Sequence, residues 1–339
     1  DHGWSQSHYE AGRYIEKTIP NTKMLFFEKL NVADTPETTL SDVVTQMVDN
    51  GAELIITTSD EFEKDTDKVA PQFPDVVFIN STGDTVLEKT APANVGNYNS
   101  WFEIGRAIGG CAAALQTNTG NIGYLGALIN QETRRHASAA YLGARYCYEK
   151  YAGKDPARLK FTVTWIGFWF NIPGVTLDPT EVSNSFFDSG ADVVLSGIDT
   201  TEALQVAGKR TDEGQKVWAV PTDNPNGCDE APKACLGAPY YNWRPGYSNL
   251  VKEVMTGKWT QKWDWQQPNW KDLNNLDTSN VGYTFGPWLS DESAKMLKSF
   301  IYEMAAYAQD PSNAGSMFLW QGPLRLQDGT QLAKETEKV

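Results

Sequence analysis

The chain repeats itself. Asp49-Asn50-Gly51-Ala52-Glu53-Leu54-Ile55-Ile56 is answered by Asp188-Ser189-Gly190-Ala191-Asp192-Val193-Val194-Leu195, an offset of 139 residues. Val76-Val77-Phe78-Ile79 is answered by Val217-Trp218-Ala219-Val220 at an offset of 141. Strand-like runs precede the two Gly-Ala turns, Lys23 to Leu30 in the first half and Phe161 to Ile166 in the second. Strands alternating with helices of this size read as βαβ units and a parallel sheet. Two matching series predict two similar α/β lobes. In the second series a strand, Asn121 to Ala127, leads into a long helix, Gln131 to Tyr151; in the first, the helix from about Ser7 to Thr18 has no strand before it. The pattern therefore predicts a first strand upstream of Asp1.

The boundaries follow from polar, Gly-containing crossings. Lobe one is predicted over 1–118 and again over about 237–310, with lobe two over 119–236. Residues 311–339 form a return segment and a Lys/Glu-rich tail. A Trp-rich excursion, Trp259 to Trp270, lies between two late helices, Ser248 to Thr256 and Ser290 to Gln309.

A formal charge of −14 offers no positive footprint for nucleic acid and adheres poorly to anionic lipid. The longest nearly apolar run, Ile108 to Leu115, is far shorter than a membrane span of about 20 residues. No signal peptide opens at Asp1, which leaves a cytoplasmic protein or a processed form. Cys228 and Cys235 favour the second: seven apart in a Pro/Gly/Asn-rich stretch, they suit a small disulfide loop of an oxidising compartment. Cys111 and Cys147 lie in apolar helical stretches and read as buried thiols. There is no CxxC, only three His are present, and neither metal nor cofactor is expected.

Ligands of open α/β sheets bind at the carboxyl ends of the strands. Four such ends carry residues unusual for plain turns: Asp1 to Gln6, Thr58 to Phe62, Ile166 to Asn171 and Pro221 to Asn224. Trp4 and Trp169 sit on equivalent loops of opposite lobes, where closure would lay two indoles on one flat ligand, and Asp223 would accept hydrogen bonds from ring or exocyclic N–H groups. A sugar site is the competing reading, with Asp60, Asn171, Asp199 and Asp223 as its polar forks. Enzyme chemistry finds little support. GxSxG, P-loop, GxGxxG and HExxH signatures are absent, and His136, beside Arg134 and Arg135, reads as exposed.

The opening Asp1-His2-Gly3-Trp4-Ser5-Gln6-Ser7-His8-Tyr9-Glu10-Ala11-Gly12 resembles the first motif of the basic membrane protein family, the purine-nucleoside-receptor-like solute-binding proteins of ABC importers. Asn94 to Tyr98 with the following helix, Ile122 to Gly126, Gly190-Ala191-Asp192, Tyr240 to Trp243 and Gly257-Lys258-Trp259 are similar to later motifs, in the right order. The resemblance implies the type I periplasmic-binding-protein fold, two Rossmann-like lobes with a hinge and an inter-lobe cleft. It implies a purine nucleobase or nucleoside, or in one branch riboflavin, held between aromatic side chains. It places Trp4 and Trp169 on the two walls and Asp223 on the base, with Ser59, Asp60, Tyr98 and Gly197 lining the cleft. Asn242 joins them in Tyr241-Asn242-Trp243, where many nucleoside receptors carry a Lys. That departure favours a bare base. It further implies a monomeric extracytoplasmic receptor working with a membrane permease, with lipid anchorage upstream of residue 1 left open.

Overall fold

The structure is a computed structural model and describes residues 3–325, 329–335 and 337. The first lobe begins with α1 (Trp4–Thr18), α2 (Leu40–Asp49), β1 (Leu54–Thr57), α3 (Glu63–Val69), β2 (Val77–Ser81), α4 (Thr85–Glu88) and β3 (Val95–Ser100). The chain then crosses through α5 (Phe102–Gln116) into β4 (Asn121–Gly126), α6 (Gln131–Lys150), β5 (Lys160–Trp165), α7 (Pro179–Asp188), β6 (Val193–Gly197), α8 (Glu202–Asp212), β7 (Trp218–Val220) and β8 (Gly237–Tyr241). It returns with α9 (Arg244–Met255) and β9 (Trp263–Gln266), and finishes with β10 (Val281–Phe285) and α10 (Asp291–Gln309) before a short terminal strand pair. The sheet order is β1-β2-β3-β9 in one lobe and β5-β4-β6-β7 in the other, with every pairing parallel.

The internal echo has a local cause. α2 is opened by a Thr39–Asp42 capping box and α7 by the Asp178 carboxylate with Pro179 behind it. Each is followed by a glycine in the left-handed region, Gly51 at φ 88° and Gly190 at φ 92°, which turns the chain into the next strand. β2 and β7, the second pair of echoing segments, lie beside β1 and β6.

Several expectations need correction. Residues 23–30 form no ladder and are not a strand, although they line a cavity together with β1. In the second lobe β4 lies between β5 and β6; among the described residues no strand occupies the equivalent place beside β1. The crossing into the second lobe falls earlier than 118: Ile104, Ala107, Ile108 and Cys111 of α5 pack with Ile122, Val193 and Val220 of the second sheet. Leu297, Phe300 and Met304 of α10 belong to the same core, so this late helix does not return to lobe one. Within the Trp-rich excursion, β9 extends the first sheet beside β3.

Small residues draw α5 and α6 together. A Cβ on Gly110 would stand 1.9 Å from the Ala140 carbonyl, and one on Gly143 2.1 Å from that of Ala107. At this approach the Cα atoms of Cys111 and Cys147 are 5.2 Å apart, and the two form a disulfide rather than free thiols. The expected Cys228–Cys235 bridge is also present. His136 is buried, not exposed, because the face of α6 that carries it meets Phe102 of α5.

Candidate functional site

The carboxyl ends of the two sheets border one cavity of about 1010 Å3, which continues along residues 23–31. Lobe one contributes Trp4, Ser59, Asp60, Glu61 and Thr82; lobe two contributes Trp169, Gly197, Asp199 and Asp223. Arg106, Glu132, His136 and Tyr241 form much of the floor. The lobes touch here. Asn130 Nδ2 donates to Asp60 Oδ2 at 2.9 Å, the Glu61 carboxyl lies beside the Trp169 indole, and Gly3 packs so closely on the Asp199 carbonyl that a Cβ would lie 2.2 Å from it.

Each wall is built locally. Trp4, at the start of α1, is half-buried; its Nε1 donates to the Thr58 carbonyl at 2.6 Å. Edge contacts with His8, Tyr241 and Trp243 hold its ring. Ser59 Oγ accepts from Glu61 N and opens the single 3-10 turn Asp60–Phe62, so Asp60 and Glu61 enter the cleft from that turn. Trp169 follows β5, and its carbonyl accepts from Asp199 N at 2.9 Å, joining two loops of one wall. Gly197 closes β6 where a Cβ would strike the Tyr124 ring, so packing demands the glycine. Asp223 follows β7 at φ 71°, held there by Asp223 N donating to the Pro239 carbonyl of β8. A non-glycine residue in this region costs energy and is found preferentially at ligand sites.

Two predicted positions lie elsewhere. Tyr98 is fully buried in lobe one and donates to Asn280 Oδ1 at 2.8 Å; it borders a separate cavity with Arg244 and Asp264. Asn242 is buried under the 276–279 loop, donating to the carbonyls of Leu276 and Ser279. Its side chain stitches that loop to β8 and does not border the cleft. Asp1 and His2 of the opening motif lie outside the described residues.

The floor is what sequence reading missed. Arg106 is 5% exposed on α5; it donates to the Ser196 carbonyl, lies 4.0 Å from Asp223 Oδ1 and stands over the Phe102 ring. A lone Arg within Phe-Glu-Ile-Gly-Arg-Ala-Ile-Gly-Gly was the available signal, since a cation in so apolar a helix requires a buried partner. Tyr241 stacks on Phe102 at 3.8 Å and points its hydroxyl to Glu132 Oε1. Burial raises the Asp223 carboxyl while Arg106 opposes the rise. Burial, with Asp60 nearby, pushes Glu132 up to about 8.

Glu132 has a consequence for stability. Its folded-state value lies above that of an ordinary Glu, so the unfolded chain ionises first and stability falls as pH rises from about 5 towards 8. One such group contributes a slope of roughly 1.4 kcal/mol per pH unit in that window. Glu132→Gln should flatten the decline in denaturant-unfolding stability between pH 5.5 and 8.5; a slope unchanged from the parent would remove Glu132 as the cause.

Two parallel-sheet lobes with a cleft at their carboxyl edges define the type I periplasmic-binding-protein class. A solute-binding protein of the ABC transporter system from Conexibacter woesei has the same fold, with a TM-score of 0.63 at 16% identity over 90% of this chain and 92% of that one. The family described as Bmp, ABC transporter substrate-binding protein PnrA-like, matches residues 1–267, and the chain belongs to it. It is therefore an extracytoplasmic solute-binding component of an ABC transporter and not an enzyme. A purine-binding protein of Brucella abortus is 28% identical over the whole of this chain and 85% of its own length. A putative ABC transporter glucose-binding protein of Haloferax volcanii is 26% identical over 76% of this chain and 59% of its own length.

Proposed function

We propose that this receptor captures a purine nucleobase or nucleoside from outside the membrane and presents it, lobes closed, to a membrane permease. The observation that carries the reading is the placing of Trp4 and Trp169 on opposite lobes of one cleft, with the buried Asp223 between the strand ends of lobe two. A base stacked on aromatic side chains gains about 1–3 kcal/mol each, and a buried carboxylate accepts from its N–H groups. Because such a ligand touches both lobes, it favours the closed population without further machinery. The name of the Brucella relative supports the same ligand class. The receptor acts as a monomer, and a lipid anchor upstream of residue 1 would keep it beside its permease.

Indole fluorescence tests this directly. Adenine, guanine, hypoxanthine and their nucleosides should quench the Trp emission at micromolar concentration, and hexoses should leave it unchanged. The hexose arm is the sharp comparison, given the name of the Haloferax relative. Saturable binding of glucose, with no response to any purine, would replace this reading with the carbohydrate one.

A further inference from the structure

Asp199 lines the cleft but its carboxyl has no role in the purine reading above, yet it occupies the centre of the cleft's charge problem. It follows β6 as Asp223 follows β7, and β6 and β7 are adjacent parallel strands, with Leu195 level with Val220. Their carboxyls therefore issue from neighbouring strand ends into one cavity. The two environments differ. Asp223 Oδ1 accepts from Thr222 Oγ1 at 2.9 Å and has the Arg106 guanidinium 4.0 Å away, a setting that supports the ionised form. Asp199 faces the carboxyls of Asp223, Glu132 and Glu61; the single cation that reaches it, Arg106, is already engaged by Asp223 and the Ser196 carbonyl. No ion pair to Asp199 exists among the described residues. Burial and then these carboxyls hold it well above the usual carboxylate range.

Resting on the purine reading, we propose that Asp199 is a specificity-determining residue that binds as a neutral carboxyl beside the Asp223 carboxylate. The pair offers one O–H donor and several acceptors at adjacent strand ends. It fits an uncharged purine that carries a donor and an acceptor side by side. It rejects purines carrying a negative charge, such as urate, and nucleotides, because the cation that reaches Asp199, Arg106, is already engaged by Asp223 and the Ser196 carbonyl. Ionisation of Asp199 removes the donor and adds a repelling charge, so affinity declines as pH rises.

Adenine is a suitable probe, since it keeps one uncharged form between pH 5.5 and 9. Titration calorimetry with the full chain should show its affinity falling at least tenfold across that range. In Asp199→Asn, which keeps a donor and an acceptor but does not ionise, binding should persist and change less than twofold. In Glu132→Gln a fall should remain, but smaller than in the parent, because one of the carboxyls facing Asp199 is gone. Urate should bind the parent protein at least tenfold more weakly than adenine at pH 7. A flat profile in the parent protein, or an undiminished fall in Asp199→Asn, overturns the proposal while leaving purine binding intact; failure of every purine at every pH overturns the purine reading itself and this proposal with it. Carboxyl carbon NMR of the ligand-free protein gives a readout independent of the ligand. The resonance lost in Asp199→Asn should titrate above the ordinary Asp range, and a normal midpoint overturns the proposal.

Discussion

Replacing Trp169 by alanine should weaken purine binding roughly 5- to 150-fold, the equivalent of about 1–3 kcal/mol for one lost aromatic wall. The side chain is half-buried on the cleft face of lobe two and leans on that lobe's core without being its centre. Circular dichroism and the thermal midpoint should therefore stay near parental values. Trp169→Phe separates the two contributions of the indole: the phenyl ring keeps a stacking face but has no N–H beside Glu61. Calorimetry should find most of the affinity retained in the Phe variant and lost in the Ala variant. Undiminished binding by Trp169→Ala would show that this wall is not where the base rests.

Arg106→Met should be the most damaging single change to the site. The substitution keeps an unbranched apolar stem but removes the guanidinium that stands over Phe102 and beside Asp223, which is 3% exposed. Removing one member of a buried pair costs roughly 3–5 kcal/mol, since a buried charge is left uncompensated. For a chain of this size the thermal midpoint should fall by about 4–7 °C. Asp223 escapes part of the penalty by taking up a proton, so the loss should grow as pH rises from 5.5 to 8. Arg106→Met with Asp223→Asn removes the buried charge and should recover most of the stability, while purine binding stays impaired. A single variant as stable as the parent at every pH would show that the two groups do not depend on one another.

The fold was legible because its signals are local. A capped helix, a left-handed glycine and a β-branched strand occur twice, and such a unit writes itself into contiguous residues. That Trp4, Trp169 and Asp223 sit on strand-end loops bordering the cleft was legible for the same reason. The floor was not. Arg106, Glu132 and His136 come from helices α5 and α6, and their meeting depends on an approach set by glycines and alanines on both helices. The Cys111–Cys147 bridge was hidden by the same contact, since 36 residues separate its ends and nothing local announces it. Tyr98 and Asn242 failed in the opposite sense: each is a polar side chain near a strand end, but its partners, Asn280 and the 276–279 loop, arrive from far along the chain and draw it inward. The run 23–30 has strand-like composition, but a strand also needs a neighbour.

Both disulfides belong to the same half of the molecule, one between α5 and α6 and one in the loop between β7 and β8. Neither staples the halves together, so oxidation leaves the jaw free to swing. What it does is make the halves unequal. Closing a loop of 36 residues removes unfolded-state freedom worth roughly 3–4 kcal/mol, and the seven-residue loop adds a smaller amount. The receptor thus carries one jaw reinforced by covalent links and one without them, and wear should begin on the latter.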